Sequence, residues 1–303
     1  MLYDVVIIGA GPSGLSAAIY ASRAKLKTLI IEKKWCGGKM ATIGLLENYP
    51  GFYDEISGHD LSIKFEKHAV KFGAKLVYDE VKKIDNNTIK KIITVNSNYN
   101  TKSIIIATGT SIRKTNILGE EIFIGKGVSF CATCDAPFYK DKTVLVIGGG
   151  DSAIQESIYL SKFAKNVIII HRRNKLRATS ILQKRITLYS NIFILYNYLV
   201  KEILGKNTVE KVIIENIKTH KKKEMKIDGV FIFVGQIPNT SFVTNITLSS
   251  NQYIITDNDM NTSVSGIFAC GDVREKLLKQ IIISASDGAV AAIGAQNYIE
   301  LCS

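Results

Sequence analysis

The feature that most constrains this 303-residue chain is a pattern it contains twice: an apolar strand, a glycine-rich turn and a helix. The first copy runs from the strand Val5 to Ile8, through Gly9-Ala10-Gly11-Pro12-Ser13-Gly14, into a helical stretch ending near Ala24. A second strand, Thr28 to Ile31, follows and ends on Glu32. A short unbroken apolar run before such a turn reads as a strand buried on both faces, the mark of a parallel sheet. The three glycines serve different ends. Gly9 allows the tight turn, Gly11 lets backbone approach a pyrophosphate, and Gly14 lets helix and strand pack closely. The helix then offers unsatisfied N–H groups and the positive end of its dipole to phosphate. An acid about 20 residues on, here Glu32, suits a ribose hydroxyl, so this unit is expected to hold a dinucleotide.

The second copy begins with Thr143-Val144-Leu145-Val146-Ile147 and turns at Gly148-Gly149-Gly150-Asp151-Ser152-Ala153. A helix to about Phe163 leads to the strand Val167 to Ile170, which ends in His171-Arg172-Arg173, with Arg177 nearby. Cations stand here where the first copy has a carboxylate. A carboxylate accepts hydrogen bonds from a 2′-hydroxyl and repels a 2′-phosphate; guanidinium groups grip the phosphate in bidentate fashion. The second unit is therefore expected to bind NADP(H).

Short alternating strands separate the copies, near Val81 to Ile84, Ile89 to Val95 and Ser103 to Ile106, closing on Ala107-Thr108-Gly109. More short strands between Ile192 and Ile227 lead to Val230-Phe231-Ile232-Phe233-Val234-Gly235. The chain then returns through Gly266-Ile267-Phe268-Ala269-Cys270-Gly271-Asp272, a strand ending in a Gly-Asp turn, and a last helix through Tyr298. The expected fold class is α/β, with two Rossmann-like, nucleotide-binding three-layer domains, the second inserted in the first. The boundaries fall at residues 1–112 with 239–303 for the outer domain and 113–238 for the insert.

Composition narrows the function classes. The chain is 46% hydrophobic and 22% charged, ordinary for a globular protein, and has no apolar run near the roughly 20 residues a bilayer requires. Tyr3 enters a strand directly, with no basic segment and apolar core of a secretory signal before it, so a cytoplasmic location is the expectation. The net charge is +12, but the lysines are dispersed and no nucleic-acid-binding motif accompanies them. Five cysteines do not form a disulfide framework; Cys131-Ala132-Thr133-Cys134 is instead a CxxC beside α/β patterns, which is a redox or metal signature. No second CxxC or paired histidines with ligand spacing go with it, so a metal is not expected. Two cysteines three apart on a helical turn bring their sulfurs within disulfide reach, and a helix N-terminus lowers thiol pKa. Cys270 reads as a packed strand residue, Cys302 as a terminal thiol, and Cys36 has no partner in sequence.

Taken together, Gly9 to Gly14, Gly37-Gly38, Glu47-Asn48-Tyr49-Pro50-Gly51, Ala107-Thr108-Gly109, Cys131-Ala132-Thr133-Cys134-Asp135, Gly148 to Ala153, His171-Arg172-Arg173 and Gly271-Asp272-Val273 resemble the low-molecular-weight thioredoxin reductases along essentially the whole chain. The resemblance implies FAD in the outer domain, at Gly9, Gly11, Pro12, Ser13, Gly14, Glu32, Lys33, Gly37, Gly38, Lys39, Asn48, Val81, Thr108, Gly109, Asp272, Lys279, Gln280 and Ile281. It implies NADPH in the insert, at Gly148, Gly150, Asp151, Ser152, Ala153, Glu156, His171, Arg172, Arg173, Arg177 and Gly235. Asp272 is expected to accept a hydrogen bond from a ribityl hydroxyl. The chain departs from the family where Lys39 replaces a frequent Gln, and where Lys279-Gln280-Ile281 replaces Arg-Gln-Ala.

The implied activity carries electrons from NADPH through FAD and a Cys131–Cys134 redox disulfide to the disulfide of thioredoxin. Cys134 is implied to be the sulfur nearer the flavin, and Asp135 the acid/base that moves the thiol proton. Rotation between domains and a homodimer come with the same resemblance. Three other functions fit the residues less well. A dithiol oxidase that passes electrons to oxygen has no need of Arg172, Arg173 and Arg177. A ferredoxin-driven enzyme is expected to lack the second nucleotide turn. A non-catalytic redox sensor has no need of both complete turns and an intact CxxC.

Overall fold

The computed structural model describes residues 1–302 except Gly44, Leu45, Glu47 and Glu55, and it does not describe the side chains of Thr133 and Cys134. Glu47, the first residue of the Glu47–Gly51 motif, thus lies outside the described residues. The chain divides into two compact units, Met1–Ser111 with Ile237–Ser303, and Ile112–Gln236. Each is an α/β unit built on a mainly parallel sheet, so the Rossmann-like class expected from the doubled glycine turn is what the chain adopts.

In the first unit the strand Leu2–Ile8 lies between Thr28–Glu32 and Asn98–Ile106, all parallel. Lys75–Tyr78 extends one edge, Ile267–Ala269 pairs with Asn98–Ile106, and the antiparallel strands Lys90–Thr94 and Val81–Asp85 complete seven strands. Side chains of the buried strands alternate between two cores. Val5, Ile7, Ile30 and Ile105 face the helices Pro12–Arg23 and Ile281–Leu301. Val6, Ile8, Leu29, Ile31 and Ile104 face the opposite side, where Phe242, Ile246 and Ile254 cover them. This two-sided burial is why the strands read as continuous apolar runs.

The helix Gly58–Lys71 and the strand Lys75–Tyr78 were not among the expected elements, although the helix is amphipathic, with Leu61, Phe65 and Ala69 at helical spacing toward the core. Ser57 caps that helix by accepting the Asp60 N–H at 3.0 Å, which satisfies one of the free donors of its first turn.

The second unit has a five-stranded parallel sheet in the order Ile192–Tyr196, Asn166–His171, Thr143–Gly148, Gly229–Phe233 and Val128–Ser129. One face packs against the helices Asp151–Leu160 and Ser180–Ile186 through Val144, Val146, Ile169 and Phe231. The other packs against an antiparallel sheet of Tyr198–Leu204, Lys211–Asn216 and Lys222–Lys226 through Leu145, Ile170, Val200, Val212 and Ile214. Phe231 is fully buried, and such a side chain contributes roughly 2–3 kcal/mol of transfer free energy. No helix among the described residues is long and apolar enough to cross a membrane.

Candidate functional site

The first glycine turn is crowded on one side and open on the other. Gly9 has φ +104°, and a Cβ there would lie 2.5 Å from the Ala107 carbonyl oxygen. At Gly14 it would lie 1.9 Å from the carbonyl oxygen of Gly9, so both positions exclude a side chain. Gly11 differs: among the described residues nothing lies within 4 Å of its Cβ position, and a Cβ on Gly38 would meet Gly11 Cα at 3.5 Å. That open side, at the start of the helix Pro12–Arg23, is a cradle a pyrophosphate fits and a side chain would fill. Glu32 closes the turn, its Oε2 accepting the Ala10 N–H at 2.7 Å and its Oε1 the Lys34 N–H at 2.9 Å. Gly37 donates its N–H to the Ala10 carbonyl at 2.7 Å, which brings Gly37-Gly38 to the same place.

A second group of expected residues gathers around Asp272. Its Oδ2 pairs with Lys39 Nζ at 2.9 Å, and that ammonium also donates to Thr110 Oγ1 at 2.7 Å. Thr108 and Asn239 exchange side-chain and backbone hydrogen bonds, both at 2.8 Å, which fixes Ala107-Thr108-Gly109. Asn48 Nδ2 reaches Gln280 Oε1 at 3.4 Å, one residue before Ile281 opens the last helix. Three expected side chains are engaged elsewhere. Lys33 pairs with Glu80, Val81 is buried in the sheet, and Lys279 lies over the Tyr253 ring.

The second turn repeats the division between crowded and open glycines. A Cβ on Gly148 would meet the Phe233 carbonyl oxygen at 2.7 Å and Ala153 Cβ at 2.6 Å, whereas Gly150 has nothing within 4 Å. Asp151 and Ser152 begin the helix, and Asp151 Oδ1 accepts the Thr179 N–H at 2.7 Å. Gly235 has φ +103° and open space at its Cβ position. Beside the turn, the segment from Arg173 to Arg177 lines a cavity of about 390 Å³ together with Asn197 and Lys218.

Arg172 does not line this cavity, and His171 is buried behind the turn. A Cβ on Gly149 would lie 2.3 Å from His171 Nδ1, so this ring fills the space a side chain would take. Burial holds the imidazole pKa below its usual value, against opposing hydrogen bonds to the Gly148 and Lys175 backbone. The sequence placed His171 with the phosphate-binding cations. As the last residue of its strand, it instead points inward while Arg173 and Arg177 reach the cavity.

Cys131 is disulfide-bonded and stands just before the short helix Ala132–Asp135. Its N–H donates to Ser129 Oγ at 3.1 Å, and its carbonyl accepts the Asp135 N–H at 3.3 Å. Ala132 and Ala136 are fully buried in the core beneath, which anchors the turn. Glu156, expected among the nucleotide contacts, accepts the Ala132 N–H; burial raises its carboxyl pKa, and its Oε2 has no partner among the described residues. Tyr139 packs edge-on against Phe231, with ring centres 5.1 Å apart, and burial pushes its phenol up to about 12. Cys36, Cys270 and Cys302 are free; Cys270 is fully buried, with its thiol pushed up to about 12. Among the described residues no cluster of three His, Cys, Asp or Glu could hold a metal ion.

Two glycine turns and a disulfide-bonded cysteine stand together in a chain that matches a known family. A model of the pyridine nucleotide-disulphide oxidoreductases matches residues 3–289. The chain belongs to this family. Within it, the chain is 45% identical over 299 residues to a thioredoxin reductase of Treponema pallidum, covering 98% of this chain and 97% of that protein. It is also 45% identical over 302 residues to a thioredoxin reductase of Bacillus subtilis, covering 99% and 95%. The crystal structure of thioredoxin reductase from Streptococcus pyogenes superimposes with a TM-score of 0.82 at 44% identity, covering 99% of each chain.

One buried carboxylate was not among the expected site residues. Asp287, buried in the last helix, accepts the Gly271 N–H at 3.0 Å and pairs with Arg274 at 3.2 Å and Lys276 at 3.1 Å. It thereby holds the turn that presents Asp272. A single carboxylate among the small and apolar residues from Ile281 to Ala295 was the available signal.

Proposed function

We propose that this chain is an NADPH-dependent thioredoxin-disulfide reductase, carrying electrons through FAD and a Cys131–Cys134 pair to the disulfide of thioredoxin. One observation carries the reading: the disulfide-bonded Cys131 turn and the Arg173–Arg177 cavity belong to the same unit, Ile112–Gln236. In the other unit, the open face of Gly11 with Glu32, Gly37 and Gly38 fits FAD, and the Gly150 turn with the cationic cavity fits NADPH. Bound together, the two cofactors supply a two-electron path from nicotinamide to flavin to sulfur.

The chain's own residues do the rest. Cys131 and Cys134 would cycle between disulfide and dithiol. A thiolate of the reduced pair attacks a sulfur of the partner disulfide, and the second thiol resolves the mixed disulfide. Asp135, half-buried on the same turn, is placed to hold and release the thiol proton. Because the cysteine pair and the nucleotide turn share one unit, both must face the flavin in sequence, and this requires rotation between units.

A homodimer and a cytoplasmic location complete the reading. Apolar groups on and beside the last helix support the dimer: Ile293, Tyr298 and Leu301 of that helix, with Tyr20 of the first helix and Phe268 of its strand, line a cavity of about 550 Å³. Sedimentation of the purified protein is expected to give the dimer mass; a monomer at micromolar concentration would refute that part.

The deciding experiment is NADPH oxidation by purified, yellow protein with and without a small CxxC thioredoxin. Rapid oxidation is expected only with thioredoxin, and denatured protein should release FAD. FMN or no flavin on denaturation, or oxidation indifferent to thioredoxin, would refute the reading.

A further inference from the structure

The cationic cavity is built from two places far apart in sequence. Arg173, Lys175 and Arg177 lie in the loop after the strand Asn166–His171, whereas Lys218 lies in the turn joining Lys211–Asn216 to Lys222–Lys226. A series of backbone contacts fixes that turn beside the loop. Asn197 donates its N–H to the Arg173 carbonyl at 3.2 Å, and Ile217 donates to the Asn197 carbonyl at 2.8 Å. Asn216 Oδ1 then accepts the N–H groups of Lys218 at 3.0 Å and Thr219 at 3.1 Å. Asn197 has φ +62°, a left-handed conformation that asparagine tolerates better than most residues, and it turns the chain from one sheet into the other.

The charge balance is equally one-sided. The lining residues include two guanidinium groups and two ammonium groups and no carboxylate. Glu215, on the same hairpin as Lys218, is paired instead with Lys201 at 3.8 Å and His220 at 3.4 Å. A phosphomonoester carries about −1.5 to −2 charges at neutral pH, with three acceptor oxygens, so several donors from different directions can share it. Two arginines on one loop approach it from one side only.

We propose that Lys218 is a specificity-determining residue, supplied by the antiparallel sheet to close the far side of the pocket around the nucleotide 2′-phosphate. The proposal rests on the NADPH reading given above. In this arrangement discrimination between NADPH and NADH is shared by the loop after the parallel strand and by a hairpin of the second sheet. Lys218 contributes as a point charge, whereas Arg173 and Arg177 contribute directed forks.

The test is calorimetric titration of the holoprotein with 2′,5′-ADP, 5′-AMP and inorganic phosphate, comparing wild type with Lys218→Ala, Lys218→Arg and Arg173→Ala. Wild type is expected to prefer 2′,5′-ADP to 5′-AMP. Lys218→Ala is expected to weaken 2′,5′-ADP by about three- to tenfold, as when one exposed charge-assisted hydrogen bond is removed, and to leave 5′-AMP affinity unchanged. Lys218→Arg should restore binding, and the KM for NADPH of the alanine variant should rise by the same factor. If Arg173→Ala weakens 2′,5′-ADP while Lys218→Ala does not, the role of Lys218 is overturned and the NADPH reading stands. If wild type does not distinguish 2′,5′-ADP from 5′-AMP, the NADPH reading fails and the proposal fails with it. Inorganic phosphate binding as tightly as 2′,5′-ADP, and lost in Lys218→Ala, would overturn the nucleotide assignment in favour of a free-anion site.

Discussion

The two glycine turns share one division between crowded and open positions and carry opposite chemistry. In both, the first glycine excludes a side chain: a Cβ would press on Ala107 from Gly9, and on Ala153 and Phe233 from Gly148. In both, the glycine two residues on faces open space, at Gly11 and Gly150. The difference is at the end of the next strand. Glu32 folds back onto the Ala10 amide in the first unit, whereas Arg173, Lys175 and Arg177 line a cavity in the second. In the proposed reading, backbone shape makes each turn a nucleotide cradle, and the charge at one strand end selects which nucleotide it accepts.

Four substitution experiments probe that comparison. The largest effect is expected where the turns are crowded. Gly14→Ala and Gly148→Ala force a Cβ into backbone or packed side chain, costing on the order of 4 kcal/mol or more, visible as a large fall in denaturant midpoint. Near-wild-type stability in either would show that the turn relaxes more easily than its packing implies. Next, Arg173→Ala combined with Arg177→Ala should erode the preference for NADPH over NADH, by roughly 1.5–3 kcal/mol for each charge-assisted hydrogen bond removed. An unchanged ratio of kcat/KM values would break the assignment of the second turn.

The open glycines should separate the two sites. Gly11→Ala is expected to weaken FAD retention by about tenfold, or about 1.4 kcal/mol, with little change in apoprotein melting. Gly150→Ala should leave FAD in place and weaken NADPH by a similar factor, read by equilibrium dialysis. Loss of FAD from Gly150→Ala would mean that the turns are not independent. The smallest effect belongs to Lys39→Ala. Its half-exposed pair with Asp272 is worth less than about 1 kcal/mol, so unfolding should shift only slightly.

Much of this was legible because the signals are local. The strand–turn–helix pattern placed Gly9 to Gly14 and Gly148 to Ala153, and the unbroken apolar runs of the buried strands predicted the two-sided cores. What escaped depends on long-range contact. Lys218 joins the cavity only because Asn197 and Ile217 carry its turn to Arg173, and no short motif spans that distance. Asp287 acts on Gly271 through the packing of the last helix, and it read merely as one acid in an apolar segment. His171 and Glu156 were legible as motif positions but not in direction. Register turned the His171 ring beneath Gly149, and helix phase turned the Glu156 carboxyl to the Ala132 amide.

The central claim is that the second nucleotide turn delivers electrons which leave the protein through the Cys131 turn. Anaerobic stopped-flow spectroscopy of Cys131→Ser, with NADPH and then thioredoxin, tests it most directly. NADPH should still bleach the bound flavin at a rate near that of wild type, because that step needs neither sulfur, and thioredoxin should remain fully oxidised. Thioredoxin reduction at a wild-type rate in that variant would contradict the account, as would failure of NADPH to bleach the flavin while FAD stays bound.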